Sequence, residues 1–146
     1  MKQLVLMLAL SPAFFFAQKA DEDAVKSTIN QLFQGMKNSD SVLIRKSLAP
    51  SAILQTITKN GEVKSENRDD FVKSIAKAEK QSLDERISFS DVLIDGNLAS
   101  VWTPYAFYYK GQFSHCGVNS FQLVKSDNAW RIQYIIDTRR KDNCMK

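Results

Sequence analysis

LASVWTPYAFYYKGQFSHCGVNSFQLVKSDNAWRIQYIIDT, residues 98–138, decides the fold. Three runs rich in β-branched and aromatic residues are separated by the tight-turn pairs Lys110-Gly111 and Asp127-Asn128, which makes the stretch an antiparallel meander. The alternation extends back through residues 86–94, ahead of the turn Asp95-Gly96-Asn97, so four strands close the chain. Upstream the period changes. Within residues 21–37, Val25, Ile29, Leu32, Phe33 and Met36 recur at spacings of three and four, one stripe of an amphipathic helix, with Asp21, Glu22 and Asp23 suited to the positive end of its dipole. Asn38-Ser39-Asp40 breaks that helix and can cap a second, short one carrying Val42, Leu43, Ile44 and Leu48, which Pro50 stops. Residues 52–58 alternate as a strand and turn at Asn60-Gly61 into a short partner at 62–65; residues 67–78 return to helical spacing through Phe71, Val72, Ile75 and Ala76. Helices first and a sheet afterwards define an α+β chain.

The N-terminal pattern carries an expectation about location. Met1-Lys2 precedes an apolar run, residues 4–10, then Ser11-Pro12 and residues 13–17, ending on Ala17. A basic start, an apolar stretch shorter than the ~20 residues of a spanning helix and a small final residue read as a secretory signal peptide over residues 1–17. The mature protein is then expected in the periplasm or outside the cell, without stable membrane insertion. Residues 18–146 make one domain, large enough to bury a core. The net charge of +4 is spread as lysines alternating with acids, a solvated surface and not a nucleic-acid footprint.

Val101-Trp102-Thr103-Pro104-Tyr105, the run from Phe113 through His115-Cys116-Gly117-Val118-Asn119 to Phe121, and Trp130-Arg131-Ile132 with Asp137-Thr138-Arg139-Arg140 and Cys144 resemble the nuclear transport factor two-like (SnoaL-like) superfamily, in particular its exported bacterial lumazine-binding-type members. The resemblance implies that three helices pack on a strongly curved, mostly antiparallel sheet, a cone-shaped, cystatin-like roll enclosing a cavity. It also implies a homodimer through the outer sheet face. Because this fold hosts isomerases, cyclases, dehydratases and non-catalytic binders alike, it leaves the function open.

His115, the lone histidine, stands mid-strand among aromatics and shares a face with Asn119 and Phe121 in a regular strand. A two-residue loop at Lys110-Gly111 brings Trp102 onto that face; a one-residue slip brings Tyr105 instead, because the side-chain period is two. His115, Asn119, Phe121, Tyr134 and either Trp102 or Tyr105 are therefore the expected lining of a pocket for a flat, partly apolar small molecule. The expected function is a non-catalytic binder. The alternatives are an isomerase, cyclase or dehydratase with His115 or Asp137 as base, or a structural or interaction domain. Asp91 and Asp95 are the other strand acids, and spacing forces no acid–tyrosine pair. No metal-ligand spacing and no phosphate-cradling glycine loop is present, so neither a metal nor a cofactor is expected. Cys116 and Cys144, the two cysteines, pair as a disulfide if the tail folds back beside its neighbouring strand, and stay free if it does not.

Overall fold

The computed structural model describes residues 13–144; the expected signal segment lies outside the described residues up to position 12. The chain runs α1 (Ala13–Asn38), α2 (Ser41–Ser47), β1 (Leu48–Ile57), β2 (Val63–Glu66), α3 (Arg68–Ala76), β3 (Leu83–Ile87), β4 (Asp91–Asp95), β5 (Leu98–Tyr109), β6 (Gln112–Ser126) and β7 (Ala129–Thr138). Three helices cover one face of a seven-strand, unclosed mixed sheet of order β2-β1-β7-β6-β5-β3, with β4 also on β5; β1 with β7 is the one parallel pair among the described strands. The α+β, mostly antiparallel arrangement is the expected one.

The α1 stripe Val25, Ile29, Leu32, Phe33 and Met36 is buried against Phe121, Leu123 and Ile132 of the inner sheet face. Phe33 meets Phe121 edge to face at 6.1 Å. Each such side chain contributes roughly 1.5–3 kcal/mol by leaving water. Asp40 caps α2 by accepting from the amides of Val42 and Leu43, both at 3.0 Å. α1 starts before the acids expected at its first turn, and Asp21 instead accepts from Trp130 Nε1 at 3.1 Å and Lys125 Nζ at 2.6 Å, which pins the helix to the last hairpin.

Two proline effects shift boundaries from those expected. Pro50 does not stop α2, which ends at Ser47; it lies within β1, where the register against β7 slips between Leu48 and Ile53. Pro104 of β5 has no N–H to offer its neighbour, and the strand expected over residues 86–94 is split opposite it into β3 and β4. Ser88 and Ser90 keep only single amide bonds, to the carbonyls of Pro104 at 3.0 Å and Trp102 at 3.1 Å.

Candidate functional site

Lys110 and Gly111, at φ 49° and 78°, form the two-residue turn between β5 and β6. Beyond it the ladder slips: Tyr108 faces Phe113, but Phe107 faces His115, so Ser114 is an extra residue. That bulge turns the inner face over to Tyr105, opposite Gly117, and to Thr103, opposite Asn119. It corrects the assignment of Trp102, which stands on the outer face, 47 % exposed. Tyr134 is likewise away from the cavity; its hydroxyl donates to Gln55 Oε1 at 2.7 Å. His115, Asn119, Tyr105 and Phe121 do converge, as expected.

They line a cavity of about 110 Å³, partly open to solvent. That is several times the ~10–15 Å³ a single water needs and of the order of an apolar cavity that admits benzene. Leu32, Phe33 and Met36 of α1 supply an apolar roof, Phe71 of α3 a further wall, and Lys64 and Glu66 of β2 stand nearby on the sheet edge. The sheet side is polar in two clusters.

The first is centred on Asp137, buried on β7. It accepts from Tyr105 Oη at 3.1 Å, from Arg139 Nε at 2.9 Å and from Thr56 Oγ1, while Arg139 Nη2 donates to Thr56 Oγ1 at 2.9 Å. Three donors, one of them the Arg139 guanidinium, stabilise a buried carboxylate and also occupy it. The Tyr105 hydroxyl shares its one proton between Asp137 and the carbonyl of Thr138, at 2.9 Å, and burial, followed by the adjacent Asp137 charge, pushes its phenol well above the ordinary range, so it stays protonated. Gly117 permits this crowding: a Cβ there would lie 1.8 Å from the Thr138 carbonyl oxygen.

The second cluster is Glu85 of β3 with Asn119 of β6, whose Nδ2 donates to Glu85 Oε1 at 2.8 Å. Asn119 is 5 % exposed. The Glu85 residue keeps partial solvent contact through the cavity, with protein packed around most of its carboxyl; that burial, opposed by the Asn119 hydrogen bond and reinforced by Asp137, pushes its pKa up to about 7. Thr103, beside Asn119 in register, has a buried hydroxyl without a partner among the described residues. His115 packs on Tyr105 and Phe107, with ring centroids 5.7 and 5.0 Å away, and its Nδ1 meets Ser114 Oγ at 3.1 Å. Burial first, then the Arg139 charge, holds it below the usual histidine range and so neutral near pH 7.

Sequence reading alone misses Glu85, although a signal exists: in Leu83-Asp84-Glu85-Arg86-Ile87 the acid sits two residues from Leu83 and Ile87 and so shares their inward face. Cys116 and Cys144 are bonded, with Cα atoms 5.7 Å apart, and Cys116 also exchanges both backbone hydrogen bonds with Arg140. Among the described residues no His, Cys, Asp or Glu cluster could hold a metal, and no helix is long and apolar enough to cross a membrane.

A helix-roofed cavity on the inner face of a mixed sheet, apolar above and polar below, defines a pocket domain of the nuclear transport factor two-like class. The chain belongs to the family described as "Putative lumazine-binding", whose profile matches residues 20–134. No curated protein matches the sequence. Among solved structures, it is similar to an NTF2-like protein of unknown function from Shewanella baltica (14 % identity, 85 % of this chain and 97 % of that one, TM-score 0.69). It is likewise similar to one from Silicibacter pomeroyi (16 % identity, 84 % and 98 %, TM-score 0.69). A third is an NTF2-like protein with a cystatin-like fold from Novosphingobium aromaticivorans (10 % identity, 90 % and 89 %, TM-score 0.69). At these identities the likeness is one of fold.

Proposed function

We propose that this is an exported pocket protein that binds a small, flat, partly apolar molecule. The observation that carries the reading is the cavity, with Leu32, Phe33, Met36 and Phe121 to cover a ring and Glu85, Asn119 and Tyr105 to meet its polar edge. The family description favours a ligand of this kind. Export is supported by the N-terminal pattern, by the Cys116–Cys144 bond, a type that persists in oxidising compartments, and by the anchoring of α1 from Asp21 onward, which leaves the domain intact after cleavage at Ala17. A homodimer through the outer sheet face is part of the same reading.

The test is a thermal-shift and NMR titration of flat heteroaromatics, lumazine among them, on wild type and on Met36→Trp, which fills the cavity from its roof. Saturable binding to wild type that is lost in a variant still giving a folded NMR spectrum is expected. Binding that persists with the cavity filled, or no binder at all, removes the reading.

The second reading, an acid–base isomerase, cyclase or dehydratase, is favoured by one observation: a carboxyl buried in the cavity wall beneath an apolar roof, where burial pushes its pKa up to about 7. Its proton carrier is then Glu85. Asp137 is engaged by three donors, and His115 is hydrogen-bonded to Ser114. Turnover of a bound compound by wild type but not by Glu85→Gln separates this reading from simple binding.

A further inference from the structure

Among the described residues, the Asn119 side-chain amide is the one hydrogen-bond partner of the Glu85 carboxyl, and the contact uses Glu85 Oε1 and Asn119 Nδ2. Among the described residues Glu85 Oε2 and Asn119 Oδ1 have no hydrogen-bond partner, although both residues line the cavity. Each of these two oxygens retains some solvent access. A carboxylic acid offers one O–H donor and an amide carbonyl offers an acceptor. The 2.8 Å contact holds the two groups side by side and fixes which atom of each is left over.

Resting on the pocket reading above, we propose that the cavity selects ligands presenting a carbonyl next to an N–H, a lactam or cyclic imide edge, with Glu85 Oε2 donating to the carbonyl and Asn119 Oδ1 accepting from the N–H. The aromatic and aliphatic roof on α1 takes the ring face, while the sheet reads the edge. A ring lacking either group leaves a buried polar atom unmatched, and such mismatches discriminate far more strongly than a change in apolar bulk.

Proton linkage follows, because only the neutral carboxyl can donate. The groups facing Glu85 are Asp137, which raises its pKa, Arg139, which lowers it, and the uncharged Tyr105 and His115; α1 presents only Leu32, Phe33 and Met36 to the cavity, and Lys64 and Glu66 stand on β2. Their balance leaves the carboxyl half protonated at about pH 7. Affinity is then full below that pH and falls about tenfold for each unit above it.

The experiment measures Kd by calorimetry for 2-quinolone, N-methyl-2-quinolone and quinoline, three flat probes that differ only at the edge, with the mature protein at pH 6 and pH 8.5. At pH 6 the lactam is expected to bind at least about tenfold tighter than either of the others. Between pH 6 and 8.5 its affinity falls about thirtyfold, the ratio set by a group titrating near 7. In Glu85→Gln, which cannot titrate, the ratio between the two pH values drops to within about twofold, and in Asn119→Leu the lactam loses its advantage over the N-methyl probe. Equal Kd values for the three probes, or a lactam affinity independent of pH, overturn the edge reading and leave the pocket standing. No saturable binding of any probe at either pH overturns both.

Discussion

Burial of the Glu85 carboxyl gives its effect on stability a definite sign. Its pKa is raised in the folded state, from 4.5 to about 7, so the stabilisation of the neutral form is fully present below 4.5 and lost as pH rises through 7. Removing the charge should therefore help only at the alkaline end. Glu85→Gln keeps an acceptor for Asn119 and stays uncharged, so its urea midpoint should match wild type at pH 4.5 and exceed it at pH 8. At 1.36 kcal/mol per pH unit the bound is about 3 kcal/mol, and solvent reaching the carboxyl through the cavity brings the expected gain to on the order of 1–2 kcal/mol. Equal midpoints at pH 8 would mean that Glu85 ionises without penalty. Periodicity does not determine every single residue. His115 and Asn119 were legible as inward-facing polar groups, whereas Tyr105 against Trp102 hung on one bulge residue, Ser114, which no turn signal announces.

At the scale of elements, the end of β7 and the tail beyond it hold the polar floor together. Thr138 accepts from Tyr105, Arg140 pairs with Cys116 of β6, and Cys144 closes the loop back onto that strand across a sequence separation of 28. Closing such a loop contributes roughly 3–4 kcal/mol by restricting the unfolded chain. Cys144→Ser should lose that much in urea denaturation at pH 7, and adding reductant to wild type should lower it to the same value. A loss below about 1 kcal/mol would show that the Cys116–Arg140 bridge suffices without the covalent link. The regular parts of these elements were readable because one periodicity governs each: the α1 stripe from Val25 to Met36 is buried as its spacing requires. The division of one strand into β3 and β4 was not, since its cause, the missing amide of Pro104, lies on a different strand and acts only once the two are paired.

At the scale of the molecule, the sheet is covered unequally. Its inner face is closed by the helices, while on the outer face of β4, β5 and β7 stand Leu93 at 68 % and Trp102 at 47 % exposure, with Tyr134 and Ile136 partly buried around Ser100, Ser120 and Gln122. A tryptophan and a leucine grouped on an exposed sheet face cost free energy in water that a second copy of the same face would recover, and an isologous contact needs no other partner. In the proposed homodimer Trp102 lies at the contact, after the Ser114 bulge has taken it out of the cavity. The proposed homodimer predicts that light scattering after size exclusion gives about twice the mass of one mature chain. It predicts also that Trp102→Glu, which sets two carboxylates near the two-fold axis, gives a single-chain mass at the same concentration without loss of ligand binding, since residue 102 faces away from the cavity. A wild-type protein that stays at single-chain mass up to millimolar concentration would end the dimer reading and leave the exposed Trp102 in need of another partner.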